Sequence, residues 1–573
     1  MIHLSSRLSW HDRQWNGRVC QQPHLNASCI ANQLIREQRD DNLERQHAGC
    51  QLAKLDGWYP PCSRDTNAFS PDSFQLTHAD PLNRGFLKPT VEEIPPYCSL
   101  PAPYRWLLEE TFRDVCEAEG LTIRGPNNPD KAGGWVYEPD RQRALLNHFW
   151  GKLKEYEGEA LIFFYVNHGN PIDEEAKRLI VGVSRLKRIG PQLFFEGHDT
   201  EGELYPIWTR TVEHDPQQGF LLPYHEYLRE GYDLSNIVCH VPPEARLAFS
   251  FVGEHVTDDM TVGILERIIQ SVTAVHQEGK VAGPWRQRLE WLNDRLAEVW
   301  TNRGPYPGIG SVLQHLGCNK GTAFHRIELK DAVRTGQDPW AATVDILEGR
   351  AEPPAAYQGD FRRARLAWSA YNRKPVRREL LQTLVRFELT PEQIKRITDP
   401  DERVEAGINA SEEEIIANPY LIAELDLGSN ESTPVTLDSI DRGMMPDGDA
   451  ALFIPPEKIV AQDDQRRVRA TAVDVLKAAA EQGDTLLSLT DLLNRIRERF
   501  PDKRACRPDR DLFLADAAFY RERLWLQLDD APQLAALQSL RNLEEMLTRQ
   551  IKGRVRRRNP EPDPPIDWRK ALE

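Results

Sequence analysis

The sequence predicts an α+β, multidomain protein that is mostly helical, with helix-hairpin-helix-like units and a small β-rich module. Three observations lead there. The chain has 573 residues, more than one hydrophobic core organises, so several domains are expected. Apolar residues recur at helical spacing over 258–349 and again over 465–499. Between them and the N-terminus, β-branched and aromatic residues run together in 159–166, 178–186 and 192–196, bounded by Gly, Pro and Asn.

Residues 1–100 read as an irregular Cys/Trp-rich region, dense in Trp, Asn and Pro. Such a stretch needs long-range packing or a metal to stay ordered. Residues 101–255 carry helices and then the β-rich module. Leu107, Leu108, Phe112 and Val115 mark the first of two amphipathic helices between Pro103 and about Glu157, and the strands follow to about 250. Residues 256–350 form a helical domain: Ile264, Leu265, Ile268 and Ile269 make one apolar face, and Trp285, Leu289, Leu292, Leu296 and Trp300 another. Residues 351–450 form a second helical hairpin domain, where Ser411 and Glu414 have the spacing of a capping box and Asn418-Pro419 ends the short helix. Residues 451–545 predict a small helical, winged-helix-like domain, with Leu486, Leu489, Leu492, Leu493 and Ile496 on one face. Beyond Ala531 one more amphipathic helix is expected, and residues 546–573 read as a basic, Pro-rich tail or linker.

Hydrophobic content of 40% and charged content of 28% place the chain among ordinary globular proteins. No apolar run is long enough to span a bilayer and no signal-like core follows Met1, so no membrane partner and a cytoplasmic location are expected. A net charge of -16 excludes a protein that coats nucleic acid everywhere, but basic clusters remain. Arg362-Arg363 and Arg373-Lys374 lie close to Trp368 and Tyr371, a pattern suited to phosphate contact with stacking. The clusters at 466–469 and 552–558 read as solvated faces.

Four of the nine cysteines, Cys20, Cys29, Cys50 and Cys62, fall early. They lack CxxC spacing, so reduced structural thiols and a converging zinc or iron–sulfur site both stay open, with His3, His11, His24 and His47 as further candidate ligands. His11-Asp12 and Asp40-Asp41 could serve a metal-dependent nuclease or, more simply, be surface charge. No phosphate loop for ATP occurs: Gly317-Cys318-Asn319-Lys320-Gly321-Thr322 has the wrong spacing. Hydrolysis of ATP with Mg therefore requires a motor supplied elsewhere.

The segment Arg303-Gly304-Pro305-Tyr306-Pro307-Gly308-Ile309-Gly310-Ser311-Val312 carries the clearest functional reading. Pro307 sets φ, Gly308 and Gly310 permit close backbone approach, and a helix from near Ser311 would aim its amides at an anion. A Pro-Gly-x-Gly turn between two packed helices has the same sequence, so that alternative stands beside it.

With Asn418-Pro419-Tyr420-Leu421-Ile422-Ala423-Glu424 and Leu437-Asp438-Ser439-Ile440-Asp441-Arg442-Gly443 added to that hairpin, residues 250–530 resemble the pre-motor region of RecD-like superfamily 1 helicases, relatives of the exonuclease V alpha subunit. The second Gly-hydrophobic-Gly turn of that family is replaced here by Leu427-Gly428-Ser429-Asn430-Glu431-Ser432, and the motor is absent from these residues. The resemblance implies a DNA-binding, non-catalytic front region that works with a helicase motor domain or subunit. Its DNA site would comprise Gly308, Ile309, Gly310, Ser311, Val312, Arg362, Arg363, Arg373 and Lys374, holding duplex or forked DNA without regard to sequence. The alternatives are a protein-interaction scaffold and an N-terminal nuclease or cluster module.

Overall fold

The computed structural model describes residues 1–8, 18–21, 37–55, 58, 60, 68–78, 87–124, 134–167, 178–197, 204–429, 432–529 and 532–556. Helices hold 51% and strands 15% of the chain, the α+β composition that the periodicities predict. The chain forms two compact units, one of residues 1–419 with 426–459 and the other of 420–425 with 460–573.

The larger unit is built on a six-stranded sheet. Its strands are β1 (Ile2–Arg7), β2 (Cys98–Ser99), β3 (Leu161–Val166), β4 (Leu179–Ile189), β5 (Val212–Leu221) and β6 (Gly253–Thr257). The order across the sheet is β6-β1-β3-β4-β5-β2, with β1 parallel to β3 and every other neighbouring pair antiparallel. Strands β3, β4 and β5 lie in the span of about 155 to 250 expected to hold a small sheet or barrel, and β1, β2 and β6 join them from outside it. The divisions expected near 101, 256 and 351 fall inside this one unit.

Every residue of β3 is buried, as its unbroken Leu-Ile-Phe-Phe-Tyr-Val run requires of a central strand covered on both faces. The core that covers it includes α1 (Phe112–Glu119), α2 (Pro139–Lys154) and α3 (Asp258–Glu278), through Phe112, Leu145, Phe149, Trp150, Ile264, Leu265 and Ile268. Thr257 caps α3 by accepting from the Met260 amide, and Gly279 ends it at φ 61°.

From α4 (Trp285–Arg303) the unit is helical. It continues through α5 (Ile309–His315), α6 (Gly321–Glu328), α7 (Pro339–Leu347), α8 (Gln358–Asn372), α9 (Pro375–Leu384), α10 (Pro391–Thr398), α11 (Glu412–Ala417) and α12 (Leu437–Met444). The Ser411–Glu414 capping box is present in full at the start of α11.

The smaller unit runs α13 (Gln465–Glu481), β7 (Leu487–Ser488), α14 (Leu489–Glu498), α15 (Arg510–Ala515), α16 (Ala517–Arg521), β8 (Leu524–Gln527), β9 (Leu534–Leu537) and α17 (Gln538–Arg556). Its sheet has the order β7-β9-β8, antiparallel throughout. One short strand after the first helix, then further helices and a closing hairpin, is the winged-helix succession. Helix α17 follows the last strand and exposes Leu543, Met546, Leu547 and Ile551.

Candidate nucleic-acid interface

Gly304 ends α4 at φ 66°, a left-handed conformation that a side chain would strain, and this turns the chain into the hairpin. Gly308 then comes against the end of α9. Its amide donates to the Val385 carbonyl at 2.9 Å. A Cβ on Gly308 would overlap the Phe387 carbonyl and lie 3.0 Å and 3.1 Å from the carbonyls of Leu384 and Val385. A Cβ on Gly310 would lie 2.7 Å from the Thr322 Cα of α6. The Val312 amide donates back to the Gly308 carbonyl at 3.0 Å.

The close approach that the two glycines permit is therefore backbone to backbone within the protein. Gly308, Ile309, Gly310 and Val312 are buried, and of the five hairpin residues expected to meet DNA only Ser311 is partly exposed. Of the Gly308, Gly310 and Val312 amides expected to face an anion, those of Gly308 and Val312 already have protein acceptors.

The basic residues of α8 are placed differently. Phe361, Ala364 and Trp368 form its buried face, and Trp368 meets Trp340 of α7 edge-on at 6.0 Å. The Tyr371 hydroxyl is bonded to His315 Nε2 at 2.8 Å. Both aromatic rings expected to stack on bases are thus engaged in packing, as their spacing of seven and ten from Phe361 dictates.

The opposite face carries Arg362, Leu366, Ser369, Ala370 and Arg373, all exposed, with Leu366 at 77%. Arg363 pairs with Asp360 at 2.6 Å. Arg362, Arg373 and the following Lys374 have no carboxylate partner among the described residues. The neighbouring arginines are committed elsewhere: Arg365 donates to the Ile346 and Ala351 carbonyls, Arg377 pairs with Glu412 at 3.2 Å, and Arg378 with Glu348 at 3.5 Å. Gly317, which closes the hairpin, would place a Cβ 3.5 Å from Arg363 Cβ, so the cationic face borders the hairpin.

Two motif residues behind the family resemblance, Arg303 and Arg442, meet at a buried charge node. Arg303 Nε donates to Asp259 Oδ1 at 2.5 Å, Arg442 Nε to Asp259 Oδ2 at 2.8 Å, and Arg442 Nη1 to Glu244 Oε1 at 3.0 Å. Burial opposes the charge on Asp259, but Arg442 and Arg303 outweigh it and hold the carboxyl below its usual range. Half-buried Glu388 is pushed up to about 7, first by burial and then by the Asp259 charge. Arg303 Nη2 also reaches the Arg386 carbonyl at 3.3 Å, and Arg386 Nη2 donates to Gly443 and Lys458 carbonyls at 2.7 Å and 2.8 Å. Tyr420 and Asn418 are buried as well. In the smaller unit, Arg469 pairs with Glu424 at 3.0 Å and with Glu522 at 2.7 Å, and Arg467 donates to the Gln462 and Arg504 carbonyls. The basic run at 466–469 is therefore half internal framework rather than a solvated face.

A second polar cluster lies between α1, α2, β6 and α6 and has no local sequence signature. Lys152 Nζ meets Glu119 Oε2 at 2.5 Å, with His148 Nε2 at 3.2 Å from the same oxygen. Burial first, against the pull of Glu119, holds Lys152 down to about 8. His255 stacks on Phe149 at 4.1 Å. Glu119, Lys152 and His148 satisfy one another inside the fold, while His255 Nε2 meets the Phe149 carbonyl at 3.1 Å.

For the early cysteines, Cys20 is buried and Cys50 exposed, while Cys29 and Cys62 lie outside the described residues. His3 is committed to the sheet: its Nδ1 accepts from the Leu161 amide at 2.9 Å and its Nε2 meets Asp258 at 3.1 Å. His47 lies against Trp58, and His11 and His24 are outside the described residues. No group of three or more potential metal ligands forms among the described residues. No helix among them is long and apolar enough to cross a membrane.

The fold and this face define an α+β, mostly helical, multidomain chain with a bordered cationic helix. The chain is similar to an uncharacterized protein of Methanocaldococcus jannaschii, with 23% identity over 530 residues. That alignment takes in 86% of this chain and 39% of the archaeal protein, so the chain spans well under half the length of the relative it matches. No family model matches the sequence, and no solved structure matches it.

Proposed function

We propose that this chain is a DNA-binding, non-catalytic front region of a RecD-like helicase, acting in the cytoplasm with a motor domain or subunit that supplies ATP hydrolysis. The observation that carries the reading is the outer face of α8, where Arg362, Arg373 and adjacent Lys374 are exposed without carboxylate partners among the described residues. In a chain of net charge -16, cations left unpaired beside a helical hairpin are suited to backbone phosphates. The hairpin's part in this reading is to position α8, and the Gly308 and Val312 amides, already bonded within the protein, contribute no direct grip.

The test is binding of the purified chain to forked, single-stranded and duplex DNA over a salt series, with ATP hydrolysis followed in the same samples. Salt-sensitive binding without hydrolysis is expected. Absence of binding at low salt would overturn the proposal.

One observation favours a second reading, a protein-interaction scaffold. Helix α17 presents Leu543, Met546, Leu547 and Ile551 on a continuous apolar face, each about half exposed. In that case the chain would form a salt-insensitive protein complex and bind no DNA.

A further inference from the structure

Resting on the proposed function, we infer that α8 recognises the duplex arm of B-form DNA rather than a single strand, by crossing the major groove with one cationic end on each phosphate wall. Arg362, Leu366, Ser369 and Arg373 follow one another at steps of four, three and four residues and so share one face of α8. Arg362 and Arg373 are eleven residues apart, about 16 Å along the axis at ~1.5 Å per residue. The major groove of B-DNA is about 12 Å wide and admits an α-helix. Cations separated by that span bracket the groove, with Arg363 and Lys374 flanking the two ends.

The residues between the cations define what is read. Leu366, Ser369 and Ala370 are short, and none carries the fork or amide that reads a purine bidentately. Leu366 suits a thymine methyl or the groove floor, so the contact is tolerant of sequence. Binding of a single strand depends on aromatic platforms for the bases. This face has none, because Trp368 is packed on Trp340 and Tyr371 is bonded to His315. Double-stranded RNA is disfavoured too, since its major groove is deep and too narrow for side chains to read.

The test is fluorescence anisotropy with the full chain, using a mixed-sequence DNA duplex, each of its strands alone, and the corresponding RNA duplex. The variants are Arg362→Glu and Arg373→Glu, singly and together, and the Arg→Lys pair. The positions are exposed, and unchanged thermal melting of each variant checks that the fold is kept. Duplex DNA should bind at least ten times more tightly than either strand or the RNA. Its affinity should fall about 100-fold from ~50 mM to ~200 mM salt, as about four phosphate contacts require. The double Glu variant should lower the slope of log affinity against log salt by about two, and the Lys pair should retain it.

Equal or tighter binding of single strands that still depends on Arg362 and Arg373 would overturn the duplex inference and leave the proposed function standing. Duplex binding untouched by the charge reversals would remove α8 from the site. Binding to no nucleic acid at low salt would overturn the proposed function itself.

Discussion

Replacing Gly308 by alanine separates a packing joint from a phosphate grip. At φ -80° and ψ -2° the backbone at Gly308 suits alanine, so the cost comes from space alone. The added methyl would overlap the Phe387 carbonyl and crowd those of Leu384 and Val385. Relief requires the hairpin to retreat from the end of α9, and the Gly308–Val385 hydrogen bond, now 2.9 Å, breaks as it does. Overpacking costs about 1–3 kcal/mol, and stranding a buried donor and acceptor costs about 1–3 kcal/mol. A loss of roughly 2–5 kcal/mol follows.

Because the chain has two compact units, one unfolding free energy does not describe it, so the readout must be local. Hydrogen exchange of the amides in 304–317, together with the urea midpoint of the larger unit, serves that purpose. Gly359→Ala is the matched control. Gly359 lies in the first turn of α8, a Cβ there meets nothing within 4 Å, and this variant should gain up to about 0.5–1 kcal/mol. If Gly308→Ala left protection and midpoint unchanged while DNA affinity collapsed, the joint would be refuted and the turn would be a ligand site.

Three further outcomes are expected. Arg442→Leu leaves Glu244 without its arginine and Asp259 with Arg303 alone, and should destabilise the larger unit by about 3–5 kcal/mol by chemical denaturation. Glu388, raised to about 7, contributes stability that is fully present below the ordinary carboxylate pKa and lost as pH rises through about 7. Between pH 5 and pH 8 the wild type should therefore lose about 1–3 kcal/mol relative to Glu388→Gln, and parallel pH profiles would count against this. Ser411→Ala removes one half of a complete capping box and should cost about 1 kcal/mol, read as faster exchange in α11 with the rest of the chain unchanged.

Elements whose determinants are local were legible in the sequence. The Ser411–Glu414 box, the run that becomes β3, and the helices α3, α4, α13 and α14 each declare themselves within a few turns. Strand β1 did not, because its polar residues look unsuited to a central strand until distant partners are known. Ser5 donates to the Ala248 carbonyl at 2.5 Å and His3 accepts from Leu161, more than 150 residues away in each case. Trp368 and Tyr371 pack inward rather than forming a stacking surface, because they fall with Ala364 at three, seven and ten residues from Phe361, the spacing of one helical face. Leu366 belongs to the opposite, exposed stripe.

The glycine hairpin was ambiguous for a deeper reason. A turn that lets a phosphate approach its amides and a turn that lets another backbone approach them make the same demand, the absence of a Cβ, and only the partner differs. Here the partner is the segment Leu384–Glu388. It accepts Gly308 through Val385, receives Arg303 through the Arg386 carbonyl, and lies within 2.6 Å of where a Cβ on Gly443 would stand. The hairpin and the Asp-Arg-Gly motif, 135 residues apart from Gly308 to Gly443, are thus two clamps on one post. Motif residues of this kind are constrained by one another and would be needed in any chain with this framework, whatever it bound. On α8 the cations left without a carboxylate partner among the described residues are Arg362 and Arg373, and it is there that the proposed function places its ligand.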